Sequence, residues 1–270
     1  MHYLWLVPVG FVVGAFGTLI GAGGGFVLMP FLLLLYPNEP PEVLTSISLA
    51  VVFLNALSGS AAYARLKRID YKSGLLFAAA TIPGSILGAT TTSWIPRRLF
   101  DAIFGVLMCL LAGMLLERPT PPRDAPPRPL RCSITRVLRD AAGGEVTYTY
   151  NPITGVVLSL FVGFVSSLLG IGGGIIHVPA LVELLNFPVH TATATSHFVL
   201  AFMAFTGTAV HAYTGILDQG LTRALALGVG VLVGAQLGAQ LSTRVKGAWI
   251  IRALAVALAS VGVRILFQAF

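Results

Sequence analysis

Charge is scarce in this chain: only 10% of its 270 residues are Asp, Glu, Lys or Arg, against about 25% in a soluble domain. That scarcity, with 56% hydrophobic residues and a mean hydropathy of +0.87, excludes an ordinary water-soluble fold. Cysteine is almost absent. Cys109 lies in an apolar run and Cys132 in a Pro/Arg-rich stretch, which excludes a disulfide framework and a cysteine metal site. There is no H-E-x-x-H and no G-x-S-x-G sequence, so the commonest hydrolase signatures are missing and no enzyme is expected. Without a Walker A sequence, ATP hydrolysis by this chain is not expected either. No metal and no cofactor is expected. The N-terminus lacks the basic region of a removable signal peptide.

Apolar residues fill the space. They form runs near 3–36, 43–64, 73–95, 99–116, 152–187, 192–216, 221–243 and 248–269, most of them long enough for a bilayer core about 30 Å thick. The formal charge of +7 could suggest a nucleic-acid partner, but its distribution suggests topology. Arg65, Lys67, Arg68 and Lys72 fill one short polar stretch, and six arginines lie between Arg118 and Arg139. Membrane proteins concentrate basic residues in this way on the cytoplasmic side. The expectation is an all-α polytopic protein of the bacterial inner (cell) membrane, with no nucleic-acid partner.

The chain repeats itself. Gly21-Ala22-Gly23-Gly24-Gly25 with Pro30 recurs as Gly170-Ile171-Gly172-Gly173-Gly174 with Pro179, 149 residues on. Thr45-Ser46 matches Thr195-Ser196, and Gly84 with Gly88 matches Gly234 with Gly238, 150 residues on. The expected organisation is an N-terminal transmembrane repeat 1–116, a Pro/Arg-rich cytoplasmic linker 117–151 and a C-terminal repeat 152–270. In the linker, VTYTY is a candidate short strand with no evident partner.

A continuous helix over 3–36 would be about 50 Å long, far more than the bilayer needs. Triple glycine and proline break helices, so each half is expected to open with a broken, returning helix and to hold five spanning or partly spanning elements, 8–10 in all. An odd number inverts the second copy. Inversion would put Arg97 and Arg98 outside and Arg244 and Lys246 inside, in better accord with the positive-inside rule than a parallel arrangement. Inverted repeats with broken helices are a recurring transporter architecture.

Unwound backbone in a bilayer is tolerated where protein buries it or where it lines a wet cavity. Gly23, Gly24, Gly25, Gly172, Gly173 and Gly174 are therefore candidate substrate-binding positions, their amides presented at helix starts that attract anions. The bland alternative is close helix packing, which better suits Gly84, Gly88, Gly234 and Gly238. The hydroxyls of Thr45, Ser46, Thr195 and Ser196 can donate to an oxyanion or serve as helix caps. His177 and His197 are ionisable groups inside apolar runs and so are functional candidates, with a neutral, hydrogen-bonded imidazole as the structural alternative. His211 and Asn55 are weaker candidates of the same kind.

The GxGGGxxxxP element, the Thr-Ser pair after it and the duplication together resemble the sulfite exporter TauE/SafE family of membrane permeases, over essentially all of the chain outside the linker. The resemblance implies secondary transport, most simply export, of sulfite, an organosulfonate or a related sulfur-containing anion. It also points to Gly21 to Pro30, Gly170 to Pro179 and both Thr-Ser pairs as signature positions. One departure stands out: Pro188 and Ala192 precede Thr195-Ser196, whereas Asn38 and Glu42 stand at those spacings in the first half. The alternative is a cation-coupled permease for another small organic solute. It would want midplane acids, and Asp101 and Glu183 lie near segment ends. The expected partners are a small anionic substrate and the lipid bilayer, with protons as the candidate coupling ion and a homo-oligomer left open.

Overall fold

The computed structural model describes residues 3–117, 133–139, 144–242, 259–260 and 262–267. Helices α1 (Leu6–Ile20), α2 (Gly25–Leu35), α3 (Pro41–Arg65), α4 (Tyr71–Thr92) and α5 (Arg97–Glu117) precede a hairpin of β1 (Ile134–Arg139) and β2 (Glu145–Tyr150). There follow α6 (Pro152–Leu169), α7 (Gly174–Leu185), α8 (Val189–Tyr213), a 3-10 turn at Leu217–Gln219 and α9 (Leu221–Leu241). Residues 262–267 are again helical. Among the described residues, α3, α4, α6, α8 and α9 are long and apolar enough to cross a membrane, and α1, α2 and α7 are shorter apolar helices. The chain is a polytopic helical membrane protein. Arg244 and Lys246, which bear on orientation, lie outside the described residues.

Both expected helix breaks are present. α1 stops at Gly21, which is left-handed at φ 79°, while the amides of Ala22 and Gly23 fold back onto the Gly17 carbonyl. Gly23 and Gly24 are left-handed as well, at 76° and 79°, a region that costs other residues more. α6 stops in the same way at Gly170 (φ 66°), with Gly172 at 70°. After the first break the chain doubles back, since the Trp5 ring stands edge-on to Phe31 of α2, 6.3 Å away.

Packing is reciprocal between the halves. α1 lies along α9 and α6 along α4, while α3 and α8 cross at the centre. Glycine makes the two outer pairs possible: a Cβ on Gly84 would come within 2.9 Å of the Phe164 nitrogen, and one on Gly234 within 2.9 Å of the Ala15 nitrogen. Backbones this close gain dispersion contacts that lipid tails cannot supply.

α3 and α8 are each 25 residues long and each follows a proline N-cap, Pro40 and Pro188, of nearly identical backbone angles. They start 148 residues apart. The loop before α3 (36–40) is two residues longer than the loop before α8 (186–188), and the longer segment after α8 restores the offset to 150. Contacts agree with this register. Gly21 faces Thr193 while Gly170 faces Thr45, and Gly59 faces His197 and Thr18 while Gly207 faces Leu49 and Ser167. In space Thr45 therefore matches Thr193, two residues from the partner that sequence matching assigns.

The strand expected at VTYTY exists, and its partner is Ile134–Arg139. The pairing is antiparallel, from Ile134 opposite Tyr150 to Arg139 opposite Glu145. The hairpin closes one end of the helix bundle.

Candidate functional site

The two breaks meet back to back at the centre. A Cβ on Gly25 would lie 2.6 Å from the Ile171 carbonyl, and one on Gly174 would lie 2.5 Å from Ala22 Cα. Only glycine allows this approach. Val52 of α3 packs against Gly23, Gly25 and Gly172, and Leu200 of α8 against Gly23. The starts of α2 and α7, whose first amides have no partner within their own helices, are thus held side by side in a buried environment.

Beside the second break is a cavity of about 10 Å³ lined by Thr81, Gly173, Gly174, His177, Ser196 and Met203, among others, roughly the space for one water. The Ser196 hydroxyl is buried there and finds no hydrogen-bond partner among the described residues. His177 Nε2 lies 3.2 Å from Ser159 Oγ, which donates to the Gly155 carbonyl. Ser159 must then accept from Nε2–H.

The first break is lined differently. Thr18 Oγ1 donates to Asn55 Oδ1 at 2.8 Å and lies 3.4 Å from His197 Nε2. The His197 ring stands 5.8 Å from that of Tyr63, whose hydroxyl donates to the Thr18 carbonyl at 2.7 Å. Asn55 Nδ2, beside Gly24, and His197 Nδ1 have no partner among the described residues. Thr45 Oγ1 and Ser166 Oγ are likewise buried and without a partner. Such a group costs about 1–3 kcal/mol, and these five cluster around the two breaks.

The expected residues therefore separate. Gly173, Gly174, His177 and Ser196 share one cavity. His197 belongs to the first break, and Thr45 packs against the second through Gly170. Ser46 donates to the Val43 carbonyl of its own helix at 2.7 Å. Thr195 accepts the Asp70 amide at 3.0 Å, toward the hairpin end. Thr18, Tyr63, Thr81 and Ser166 were not among the expected residues. The signal for Thr18 was available: Ser167 stands 149 residues on and holds the equivalent place beside Gly207.

Both ends of the bundle are tied. At the hairpin end Asp70 caps α4 by accepting from the amides of Lys72 and Ser73. It also accepts Tyr148 Oη at 2.7 Å, while Tyr150 Oη lies 2.7 Å from Ser73 Oγ. Burial first, and the neighbouring Asp70 carboxylate second, push the Tyr148 hydroxyl above its usual range. Phe187, in the loop after α7, packs on both tyrosines, and Phe77 links Tyr150 to His177. At the opposite end Arg97 grips Asp101 and donates to the Glu39 carbonyl at 2.7 Å. Arg223 pairs with Glu39 at 3.1 Å and lies over the Tyr36 ring.

The family model for the sulfite exporter TauE/SafE family matches residues 6–265, which takes in both breaks, both Thr-Ser pairs and the hairpin. The chain belongs to the TauE/SafE family. It is 33% identical to the probable membrane transporter protein YunE of Bacillus subtilis, over 99% of this chain and 98% of that protein. It is 26% identical to a probable membrane transporter protein of Xylella fastidiosa over 88% and 82%, and 27% identical to one of Methanocaldococcus jannaschii over 75% and 69%. No solved structure matches. TauE/SafE proteins are membrane transporters, not enzymes.

Proposed function

We propose that this TauE/SafE protein is a secondary transporter that exports a small sulfur oxyanion, sulfite or an organosulfonate, through the point where its two glycine breaks meet. The observation that carries the reading is the cluster of five buried, unpartnered polar atoms on Thr45, Asn55, Ser166, Ser196 and His197 around two facing helix starts. Helix-start amides and neutral donors favour an oxyanion and hold it less tightly than a buried arginine would, as suits an ion that must also leave. Gly23, Gly24 and Gly25 would act on one side and Gly172, Gly173, Gly174, His177 and Ser196 on the other. Asn55 and His197 would complete the first side.

In this reading residues 1–116 and 152–270 are inverted repeats, and α1–α2 and α6–α7 are re-entrant hairpins entering from opposite faces. The hairpin end, with Arg65, Lys67, Arg68 and Lys72 beside it, faces the cytoplasm of a bacterial cell and the Arg97–Arg223 end faces outward. In the same reading the small cavity, about one water in size, belongs to a resting state of a carrier whose ends open in turn, with protons as the coupling ion.

Flux into proteoliposomes tests this, with sulfite, sulfoacetate, taurine, sulfate and acetate compared at two pH values. Sulfite or sulfoacetate should move fastest, and a chain carrying both Asn55→Leu and Ser196→Ala should lose that flux. If acetate or sulfate moves equally well, the substrate assignment fails. If the double variant carries sulfite normally, the site lies elsewhere.

A further inference from the structure

A groove of about 400 Å³ runs along the outside of the bundle between α3 and α8. Its walls include Phe53, Leu57 and Ala61 from α3 and Phe198, Phe202 and Phe205 from α8. Leu57 and Phe205 are more than half exposed, so the groove opens to the membrane and not to the central site. At its end toward the hairpin stand Ile69 and Tyr71. Tyr71 lies edge-on to Phe198 at 5.4 Å, and tyrosines of this kind mark the headgroup level of a bilayer.

Three further features sit at that end. The turn from α3 to α4 carries Arg65, Lys67, Arg68 and Lys72, with Arg65, Lys67 and Lys72 exposed and the Arg65 guanidinium making one long contact, 3.4 Å, to Gln236 of α9. The one acid within the turn, Asp70, caps α4, accepts from Tyr148 and lies 3.7 Å from Arg136 of β1, so the cations at this end outnumber it. Lys67 is held left-handed at φ 53°, just past the end of a helix, where glycine is the least strained residue. Topology alone needs basic residues somewhere in a loop and gives no reason to hold one in a strained turn. Lastly, the Ser60 hydroxyl lines the groove, is 8% exposed and has no partner among the described residues. It lies about 7 Å along the helix from Arg65, the depth at which headgroup gives way to acyl chain.

We propose that this groove binds an anionic phospholipid, with one acyl chain lying along the phenylalanines, the Ser60 hydroxyl donating to an ester oxygen, and the phosphate held by Lys67 and Arg65. Basic pockets between helices on the cytoplasmic side favour such headgroups. The charge complementarity selects an anionic lipid over a zwitterionic one, and the groove selects a lipid over a soluble phosphate.

The test is native mass spectrometry of the purified full chain titrated with dioleoyl phosphatidylglycerol or dioleoyl phosphatidylcholine, with thermal melting alongside. Wild type should retain phosphatidylglycerol at least fivefold more tightly. Lys67→Gly should melt no lower than wild type, because its backbone is relieved, and should lose most of that preference, as should Arg65→Gln. Ala61→Trp, which fills the groove, should bind neither lipid well. Equal retention of the two lipids by wild type overturns the proposal, and so does a preference that survives in Lys67→Gly and Arg65→Gln. Phosphatidylglycerol bound normally by Ala61→Trp, or a dimer that buries the groove in place of lipid, overturns it as well.

Discussion

Asn55 and Met203 occupy matching places on the two long helices, each beside the glycine break of one half, and carry opposite chemistry. Asn55 Nδ2 lies 3.4 Å from the Cβ position of Gly24, and Met203 Sδ lies 3.3 Å from that of Gly173. The first break thus faces an amide and the second a thioether, with Ser196 supplying the second side's spare hydroxyl. Replacing Asn55 by Leu leaves the Thr18 hydroxyl only its long contact to His197 Nε2, a loss of about 1 kcal/mol, and should cut sulfite flux at least tenfold per folded molecule. Met203→Leu conserves volume, should cost less than about 1.5 kcal/mol and should leave most flux intact. Proteoliposome uptake normalised to folded protein distinguishes the two.

Gly173 and Gly238 should respond differently to the same change. A Cβ at Gly173 meets Val162 Cγ1 at 2.6 Å and Ser166 Oγ at 3.0 Å, at an ordinary helical φ. Gly173→Val therefore fills the central cavity and should abolish sulfite binding by calorimetry. A Cβ at Gly238 meets Ala15 backbone, with the Ala15 carbonyl carbon at 3.0 Å. Gly238→Val forces α9 off α1 and should cost about 1–3 kcal/mol of stability, with substrate affinity unchanged in the protein that folds.

The hairpin tie should be sensitive to alkali. The folded protein holds the Tyr148 hydroxyl protonated above its ordinary value of 10.0. The stability tied to this group is therefore complete below about pH 10 and falls as pH rises further, because the unfolded chain ionises first. Tyr148→Phe should lower stability at pH 8 by about 1.5–3 kcal/mol, the range for a hydrogen bond to a charged acceptor, and should flatten the decline above pH 10. Melting curves at pH 8 and pH 10.5 provide the comparison. An equally steep alkaline decline in the variant would remove Tyr148 as its source.

At the other end Arg97 serves several partners at once. Arg97→Gln would leave the buried Asp101 carboxylate without its guanidinium and release the carbonyls of Leu33 and Glu39. A melting-temperature drop equivalent to about 2–4 kcal/mol is expected, and adding Asp101→Asn should recover part of it, since an unpaired buried charge accounts for much of such losses.

The duplication, the helix breaks and the membrane class were all legible from the sequence, because triple glycines, prolines and apolar length act locally. The pairing of Thr45-Ser46 with Thr195-Ser196 misled, because a two-residue difference in loop length shifts α3 against α8. Two residues are more than half a helical turn, enough to turn a matched hydroxyl away. Thr195 accordingly serves Asp70, while Ser196 faces the cavity. The hairpin's partner strand was hidden because Ile134–Arg139 carries two arginines in an otherwise proline-rich stretch, and strand pairing depends on distant residues more than on propensity. The contact of Tyr148 with Asp70 bridges 78 residues, and no local pattern foretells it.

The two ends of the bundle are fastened differently: arginine pairs hold one, whereas at the other the pair of Arg136 with Asp70 is joined by the Tyr148 and Tyr150 hydroxyls. On the proposed topology the outward fastening is a set of arginine ion pairs in which Asp101 and Arg223 are buried, so salt screens them much less than it would exposed pairs. The cytoplasmic fastening is a strand joined directly to α6, so its tyrosines stay at high effective concentration whatever the salt. On that topology neither door yields readily to salt, and opening one of them falls to whatever the central site binds.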